Sequence, residues 1–584
     1  MLTNKFKPAT RKLILVILLM PSSTVIFSQN VETIVGDSKE QVKDFWEGIK
    51  KAKPLEIKGS VNLSGQHYTV NGIAPRFEPF TYTYGGNIDL FVYGIHIPAT
   101  FSFSNLVSRL GQQFNRFGAS PYYRWIRLHG GYRMMDFSHY TFSGITFLGG
   151  GVALTPGKFH FSSFYGRLRK EVSGDVTSAG EAFFLPSFRR NGYGFKTGYD
   201  NGEKYANLIF LKVMDEEHSI VIPEDGSLLP QDNLVISLQA GGTIFKRLMV
   251  RGELANSILN NNTQAPEIDL DHYRFYNRLG FVFQPTSSAE INNAMNTSLS
   301  YSLGNYNIGA TYERVDPGYR SLGTFFINND LERYTIDFSG SLWRGKISFS
   351  GNIGQQNNNI EGNNADKIER GAISGNITLN PINSLNIISG YSNYTTLQEF
   401  LINPELDTLD FVQINNSYQA SIAYGYPVSA WRHNISLNGN YQTDITEPEA
   451  SGKPDEKSFI QNLTASYQLK YRPANLSIIL AYNFNDADFG DVRTRRTGPS
   501  VRVSKLLLKK RLKIQVSHAF FNNQREGSTI NSIQNAQIAA NYRPDKRHSF
   551  GINSTMVIRN HLSETIRGDT FIEVITSLKY NFRL

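Results

Sequence analysis

The residues that could perform chemistry are few and scattered along the chain. Residues 215–218, DEEH, offer carboxylate and imidazole ligands for a metal ion, but no second ligand cluster accompanies them, so a solvated loop is the favoured interpretation. A hydrolase would need a serine, a histidine and an acid on neighbouring strands. The 11 histidines show no such spacing, and the absence of cysteine excludes disulfides, thiolate metal sites and a cysteine nucleophile. We therefore predict no enzyme activity, no metal site and no cofactor.

The strongest charge feature is the segment 493–513, RTRRTGPSVRVSKLLLKKRLK, which holds nine basic residues and no acid. If it forms strands, Arg502 and Lys513 lie on the opposite face from the neighbouring valine, leucine and isoleucine side chains. Three interpretations stay open. A basic stripe inside a pore would favour anionic solutes, the cations could contact lipid phosphates, or the charge is ordinary loop and turn charge exposed to solvent.

The elements that would position these residues are long alternating strands. In QNLTASYQLKY (461–471) every second side chain is apolar or aromatic, and LSIILAYNF (476–484) repeats the pattern after the turn RPAN. Short turns and long polar loops follow each other along most of the chain, as in outer-membrane barrels. The pattern predicts an all-β fold, a transmembrane antiparallel β-barrel over residues 55–584.

The strand count depends on one ambiguous segment. About 26 candidates are found, but the long and short loops change phase near SLSYSLGNYNIGATYE (298–313), where Gly304-Asn305 is either a two-residue hairpin turn or a bulge. Closure of the barrel then demands one further correction near 66–120, so we predict about 24 strands, within a range of 22 to 26.

Composition excludes several other classes of protein. No apolar run of the mature chain exceeds about five residues, so no transmembrane helix is expected. Without residues 1–28, 55 basic residues stand against 50 acids, a balance of +5 that does not suggest nucleic-acid binding. A soluble sandwich or solenoid is the alternative. Its strands would average roughly 5–6 residues, and a solenoid would show a fixed repeat that is absent here.

The N-terminal residues predict export. Residues 1–28 combine a basic start, the apolar run LILVILLM and a small residue before a polar sequence, the pattern of a signal peptide cleaved between Ser28 and Gln29. Residues 29–54 form a predicted periplasmic segment, in which 37–51 reads as a short amphipathic helix. VETIVG (31–36) resembles the TonB box of TonB-dependent transporters, but only about 20 residues separate it from the first strand, too few for their plug domain.

The C-terminal residues predict a closing strand. Tyr580, Phe582 and Leu584 share one face of FIEVITSLKYNFRL (571–584), and charged or polar residues occupy the other. Because every backbone group in lipid must pair, the last strand must meet the first. These three residues resemble the C-terminal signal of bacterial outer-membrane proteins, which implies recognition by the barrel-assembly machinery.

Two denser patches carry a family resemblance. NRFGASPYYRWIRLHGGYRMMDFSHYTFSGITFLGGG (115–151) and RVDPGYRSLGTFFINNDLE (314–332) resemble segments of large, porin-like outer-membrane β-barrel proteins of Bacteroidota. The resemblance implies an outer-membrane location, with membrane lipid and lipopolysaccharide as surroundings. That family has no assigned activity and so implies no functional residues.

The sequence therefore predicts an integral outer-membrane barrel that passes solutes through a polar lumen. The alternative is a barrel that anchors or helps to export a secreted or periplasmic partner protein. No nucleic-acid partner is expected.

Overall fold

The computed structural model describes residues 54–105, 115–173, 186–221, 228–269, 278, 280–400, 410–448, 455–564 and 566–584. The predicted signal peptide, its cleavage site at Ser28 and Gln29, the TonB-box-like segment and the predicted helix 37–51 lie outside these residues. Two compact units divide the chain: Met1–Glu56 with Phe91–Ile95, and Ile57–Leu90 with His96–Leu584. In the first unit, Tyr93 and Gly94 both have positive φ, +49° and +83°, the backbone of a tight hairpin turn.

The regular elements of the described residues are β-strands, apart from two single-turn 3₁₀ helices, Glu217–Ser219 and Trp343–Gly345. The strands are β1 Glu56–Asn71, β2 Phe80–Val92, β3 Ile95–Ser104, β4 Arg116–Ala119, β5 Tyr122–Tyr123, β6 Ile126–Met134, β7 Thr146–Leu154, β8 Phe159–Arg169, β9 Arg190–Asp200, β10 Lys204–Asp215, β11 Asp232–Ile244, β12 Leu248–Asn260, β13 Ala289–Leu303, β14 Tyr306–Val315, β15 Leu331–Leu342, β16 Ile347–Asn357, β17 Asp366–Ile382, β18 Leu385–Phe400, β19 Phe411–Val428, β20 Trp431–Pro448, β21 Glu456–Tyr471, β22 Leu476–Asp488, β23 Arg493–Leu507, β24 Leu512–Arg525, β25 Ser528–Tyr542, β26 His548–His561 and β27 Phe571–Arg583.

These strands form one closed antiparallel barrel. Each pairs with its sequence neighbours, and β1 pairs with β27 from Ser60 opposite Arg583 to Asn71 opposite Ile572. β4 and β5 share one position between β3 and β6, interrupted at Pro121, which has no N–H to donate. The 27 named strands therefore make 26 wall positions, which confirms the predicted fold class at the upper limit of the predicted size.

Successive connections lie at opposite ends of the barrel, and those at one end are the longer ones along most of the wall, with 489–492 and 526–527 as the exceptions. One end, the short-turn end, carries connections such as 304–305, 383–384 and 429–430, and the other, the long-loop end, carries connections such as 170–189 and 261–288. The ambiguous Gly304-Asn305 is a hairpin turn between β13 and β14, with Gly304 at φ +60°. Because Gly304-Asn305 separates two strands and is not a bulge within one, the wall has more strands than the predicted 24.

The outer face of the wall is apolar and bounded by aromatic side chains. Toward the long-loop end, the rings of Tyr391, Tyr418 and Tyr441 follow one another at 5.0 and 6.3 Å, and all three are exposed. Toward the short-turn end, the ring centres of Trp431 and Tyr471 are 4.4 Å apart. Between them are exposed aliphatic residues, including Ile422, Ile435 and Leu437. Since Tyr441 and Trp431 are ten residues apart on β20, the apolar band is about 25 Å tall at a barrel tilt of about 40°, the height of a membrane-spanning band.

One long connection covers part of the outer face at the long-loop end. Phe283, from the connection between β12 and β13, packs on Leu234 and Ile258. Beneath it Lys212, only 1% exposed, donates a hydrogen bond of 2.7 Å to Asp232, and its ammonium lies 4.4 Å from the centre of the Phe283 ring. An ion pair at this position is tolerated because the ring and the carboxylate together replace water around the ammonium group.

Candidate functional site

The inner face of the wall from β15 to β22 carries a ladder of uncharged polar side chains, with few charged residues among them. Hydrogen bonds cross from strand to strand: Ser374 to Asn352 at 2.8 Å, Gln419 to Asn376 at 3.0 Å, Ser421 to Asn438 at 2.6 Å and Thr464 to Asn483 at 3.2 Å. Most of these residues are partly or fully exposed on the inside of the closed wall. Amide and hydroxyl groups both donate and accept hydrogen bonds, so this face can hold water.

One hydrogen bond of this ladder requires a glycine, Gly390, on the strand beneath it. The bond between Gln419 on β19 and Asn376 on β17 passes over β18 at Gly390. A Cβ at this position would lie 2.4 Å from Gln419 Nε2 and 2.5 Å from Asn376 Oδ1. Glycine is therefore the residue that lets two amides bond across an intervening strand.

The inner face of β22–β27 carries an excess of positive charge and is called the basic wall below. The strand registers place seven cations on it: Arg496, Arg502, Lys513, Arg525, Arg559, Lys579 and Arg583. The single acid that these strands present on the same face is Glu573, which accepts a hydrogen bond of 2.9 Å from the hydroxyl of Tyr68. Among the described residues none of the seven cations forms an ion pair within 4.0 Å. The field of this wall therefore acts on the water in front of it.

The two cations singled out in the sequence lie on this wall. Arg502 stands opposite Ser517, and Lys513 opposite Asn541 nearer the short-turn end. Of the neighbouring arginines, Arg496 is also on the inner face, with its guanidinium 4.0 Å from the centre of the Phe521 ring. Arg493 and Arg495 are on the outer face, where both bind Asp486, at 2.7 and 3.2 Å.

Two connections from the long-loop end fold into the barrel, and together they are called the lumenal insert: residues 135–145 and 316–330. Phe142 in the first segment is fully buried and stacks on Phe164 of β8, with ring centres 4.2 Å apart and planes at 15°. Segment 316–330 lies beside it, where the hydroxyl of Ser321 donates to the carbonyl of Thr141 at 2.5 Å. The two segments thus pack on each other and on the wall.

Glycines make room for the insert. Gly192 and Gly194 lie on the inner face of β9 beside Phe164, and Gly151 on β7 would place a Cβ 3.0 Å from the sulfur of Met135. In the insert itself, a Cβ on Gly323 would lie 2.4 Å from Leu211. A wall without side chains at these places lets aromatic rings approach the backbone.

Polar groups fasten the insert at several points around the wall. Lys196 on β9 donates to the carbonyl of Phe137 at 2.8 Å, and Asn233 on β11 accepts from the backbone N–H of Leu322 at 3.0 Å. Tyr140 donates to Glu313 on β14 at 2.5 Å. Burial and the hydrogen bond to this carboxylate raise the pKa of Tyr140 far above its usual value, so the phenol stays a donor.

Sequence reasoning missed the lumenal insert, although the composition of its two segments was unusual. Its two segments lie within the two patches whose composition stood out, 115–151 and 314–332. Their dense aromatics and glycines are the residues that now form the buried cluster with Phe164 and Leu211. Nothing in a single sequence showed that segments about 180 residues apart would meet.

The remaining candidates have structural partners. Asp215 of the acidic stretch receives two hydrogen bonds from Arg190, at 2.7 and 2.8 Å, and Glu217 accepts one of 2.5 Å from Thr263. In the described part of the chain, no group of three or more histidines and acids is arranged to hold a metal ion. No helix in that part is long and apolar enough to cross a membrane.

Ion pairs at the long-loop end connect neighbouring loops. Arg189 donates to both carboxylate oxygens of Glu171, at 2.9 and 3.1 Å, and approaches Glu216 at 3.2 Å. The arginine lowers the pKa of Glu171 to about 2, so the carboxylate is charged at all ordinary pH values.

The final strand keeps the two faces predicted for it. Tyr580 stands opposite Phe550 on β26, with ring centres 4.8 Å apart, and opposite Leu63 on β1. Phe582 lies on the same outer face opposite His548, and Leu584 is exposed at the end of the chain. These contacts belong to the apolar outer surface near the short-turn end. Recognition by an assembly machinery remains a prediction.

The fold and the apolar outer band define a large, closed antiparallel β-barrel of the outer-membrane type. No protein-family model matches the sequence, and no curated protein matches it either.

Solved structures with a similar arrangement of strands include the FrpB iron transporter from Neisseria meningitidis, at 10% identity over 92% of this chain and 83% of that chain, with a TM-score of 0.32. The ferric citrate transporter FecA matches at 8% identity over 91% of this chain and 79% of that one, with a TM-score of 0.35. The P pilus usher PapC translocation pore matches at 10% identity over 90% and 99%, with a TM-score of 0.25. All three TM-scores are below 0.5.

Proposed function

We propose that this chain resides in a bacterial outer membrane and provides a water-filled passage for polar solutes, with a preference for anions. The observation that carries the proposal is the unequal charge of the lumen. On the inner face of β15–β21 four cations stand against four acids: Arg333, Arg370, Arg432 and Lys470 against Asp337, Asp366, Asp444 and Glu456. On the basic wall, seven cations stand against Glu573 alone.

The physical reason for anion preference is the field in a confined aqueous space. Charges on a low-dielectric wall focus their field into the water and raise the local concentration of counter-ions. We assign this effect to Arg502 and Lys513, which lie in the half of the passage nearer the short-turn end. Across the neighbouring strands, no acid lies level with either of them on the inner face. The amide ladder opposite supplies groups that can replace the water around a passing solute.

The test is the conductance of the purified, refolded protein in a planar lipid bilayer. We expect steady openings and a reversal potential, in a potassium chloride gradient, displaced toward the chloride equilibrium potential. Replacing both Arg502 and Lys513 with Gln should shift the reversal potential toward zero. Lys505→Gln is the matched control, because Lys505 lies on the outer face of the same strand. A folded protein without openings, or one selective for cations, would show the proposal to be wrong.

A second candidate function rests on the exposed end of the lumenal insert. Phe325 and Phe326 are 91% and 73% exposed, next to segments of the same insert that are fully buried. Two adjacent exposed rings suit a partner protein, so a barrel that anchors or helps to export such a partner is the alternative. It predicts a protein that is silent in the bilayer and purifies from its native membrane with a partner that Phe325→Ser releases.

A further inference from the structure

A depression in the basic wall lies near the short-turn end, between Lys513 on β24 and Lys579 on β27. Its volume is about 310 Å³. Its inward side chains are Lys513, Gln515, Asn541, Asn553, Ser577 and Lys579, with Ala539 and Gly551 between them. From these residues we propose that the depression binds a small hydroxylated anion of the sugar-acid or sugar-phosphate class. The inference deepens the proposed function, because it names the class of solute that the passage would carry.

The geometry places two ammonium groups around one small space. Lys513, Asn541, Gly551 and Lys579 occupy one row across four adjacent strands. Three strand spacings separate the two lysine backbones, about 14 Å, and each extended lysine side chain reaches roughly 6 Å. Both ammonium groups can therefore approach the same carboxylate or phosphate above Gly551.

The space exists because the floor of the row is small. Gly551 has no side chain, and an added Cβ would meet nothing closer than 3.6 Å, the distance to Asn541 Nδ2. Ala539 in the neighbouring row adds only a methyl group. The glycine is thus not required by its backbone or by packing, and the open space that it leaves is available to a ligand.

The charges of the two lysines are available to a ligand. Among the residues that the structure describes, neither Lys513 nor Lys579 forms an ion pair, and no acid lines the depression. Glu573, the acid of the basic wall, is six residues from Lys579 along β27, about 20 Å at the rise of a strand. It is also bound to Tyr68. An anion can therefore pair with both ammonium groups.

The remaining lining selects among anions. Amides and a hydroxyl surround the lysines, and these groups both donate and accept hydrogen bonds, as vicinal hydroxyls require. Asn553 already accepts a bond of 2.8 Å from Gln537, which holds the amide in a fixed orientation. No aromatic or large aliphatic side chain faces the space from these rows, so an apolar anion would gain little there. The volume is at the lower end of small-molecule sites, the size of one sugar unit.

The test is calorimetric titration of the full refolded protein in detergent with glucuronate, with glucose and acetate as comparison solutes. We expect saturable binding of glucuronate, at least about tenfold weaker binding of glucose, which lacks the charge, and of acetate, which lacks the hydroxyls. Lys513→Gln and Lys579→Gln should each weaken glucuronate binding at least about tenfold. Gly551→Leu should abolish it by filling the floor, and Lys505→Gln should leave it unchanged.

Retention of the folded, heat-modifiable band on electrophoresis shows that each variant is intact, and the three substitutions at separate positions provide independent readings. Equal binding of glucose and glucuronate, or unchanged binding in the intact Gln variants, would overturn the inference. Conductance without glucuronate binding would refute the binding site and leave the proposed passage standing. Glucuronate binding without conductance would support the binding site and refute the proposed passage.

Discussion

Replacing Phe142 with Ala should release the lumenal insert from the barrel wall. The Phe142 ring is fully buried, stacks on Phe164 at 4.2 Å and lies 5.7 Å from Phe137. It makes the closest ring contact of segment 135–145 with β8, where the Phe137 ring also lies 5.7 Å from Phe164, and its removal leaves a cavity lined by aromatic rings. The barrel itself should stay closed, because its strand pairs do not involve residue 142.

The free-energy cost of Phe142→Ala can be taken from the same substitution at other fully buried sites. Phe→Ala at a fully buried site costs about 3–5 kcal/mol. If the loss falls on the docking of the insert, the ratio of released to docked molecules rises about a hundredfold or more, since about 1.4 kcal/mol is a factor of ten. The polar contacts of Lys196 and Asn233 remain, so the insert should open more often without leaving the lumen.

Thiol labelling measures this opening directly, because the chain contains no cysteine. A single cysteine at position 321, where Ser321 is 7% exposed, should react slowly with a maleimide when the insert is docked. Phe142→Ala should raise its labelling rate about a hundredfold. Phe326→Ala is the control, because that ring is 73% exposed and should leave the rate unchanged. An unchanged rate in the folded Phe142→Ala protein would refute the assignment of Phe142 as the main anchor.

Three further outcomes are expected. Gly390→Val should break the amide bridge above it and lower the free energy of unfolding by about 1 kcal/mol, whereas Gly371→Val, with open space around its Cβ, should not; urea titration compares the two. Lys212→Met should cost about 3–5 kcal/mol by leaving Asp232 buried without its partner, and the double variant with Asp232→Leu should recover most of this in the same titration. Because the pKa of Glu171 is lowered to about 2, its ion pair should stabilise the loops fully above about pH 4.5 and lose its effect as the pH falls toward 2; Glu171→Gln should remove this part of the pH dependence of the melting temperature.

The fold was predictable because a barrel strand repeats one constraint every two residues. The alternation in 461–471 fixes which side faces lipid, and the structure keeps Leu463 outward and exposed while Thr464 bonds to a neighbouring inward side chain. The strand number was harder to predict. A two-residue turn such as Gly304-Asn305 and a bulge leave the same local pattern, and only the pairing of Leu303 with Tyr306 separates them.

The site was predictable only in part. Parity alone put Arg502 and Lys513 on one face, but the row that joins Lys513 to Lys579 spans 66 residues of chain and depends on the registers of three strand pairs. The lumenal insert was beyond sequence reasoning for the same reason. Phe142 and Ser321 sit in irregular segments whose contacts are set by tertiary packing, and no periodicity marks their partners.

The lumenal insert and the basic wall occupy different parts of the inner face of the barrel. The insert contacts β8, β9, β11 and β14, through the aromatic ring of Phe164 on β8 and through polar side chains on the other three strands. It makes no hydrogen bond to the basic wall among the described residues, and seven cations remain there without a carboxylate partner. A barrel of this size needs material inside it to restrict passage. Under the proposed function, the solute should therefore pass along the side of the barrel between β22 and β27, away from the strands that hold the insert.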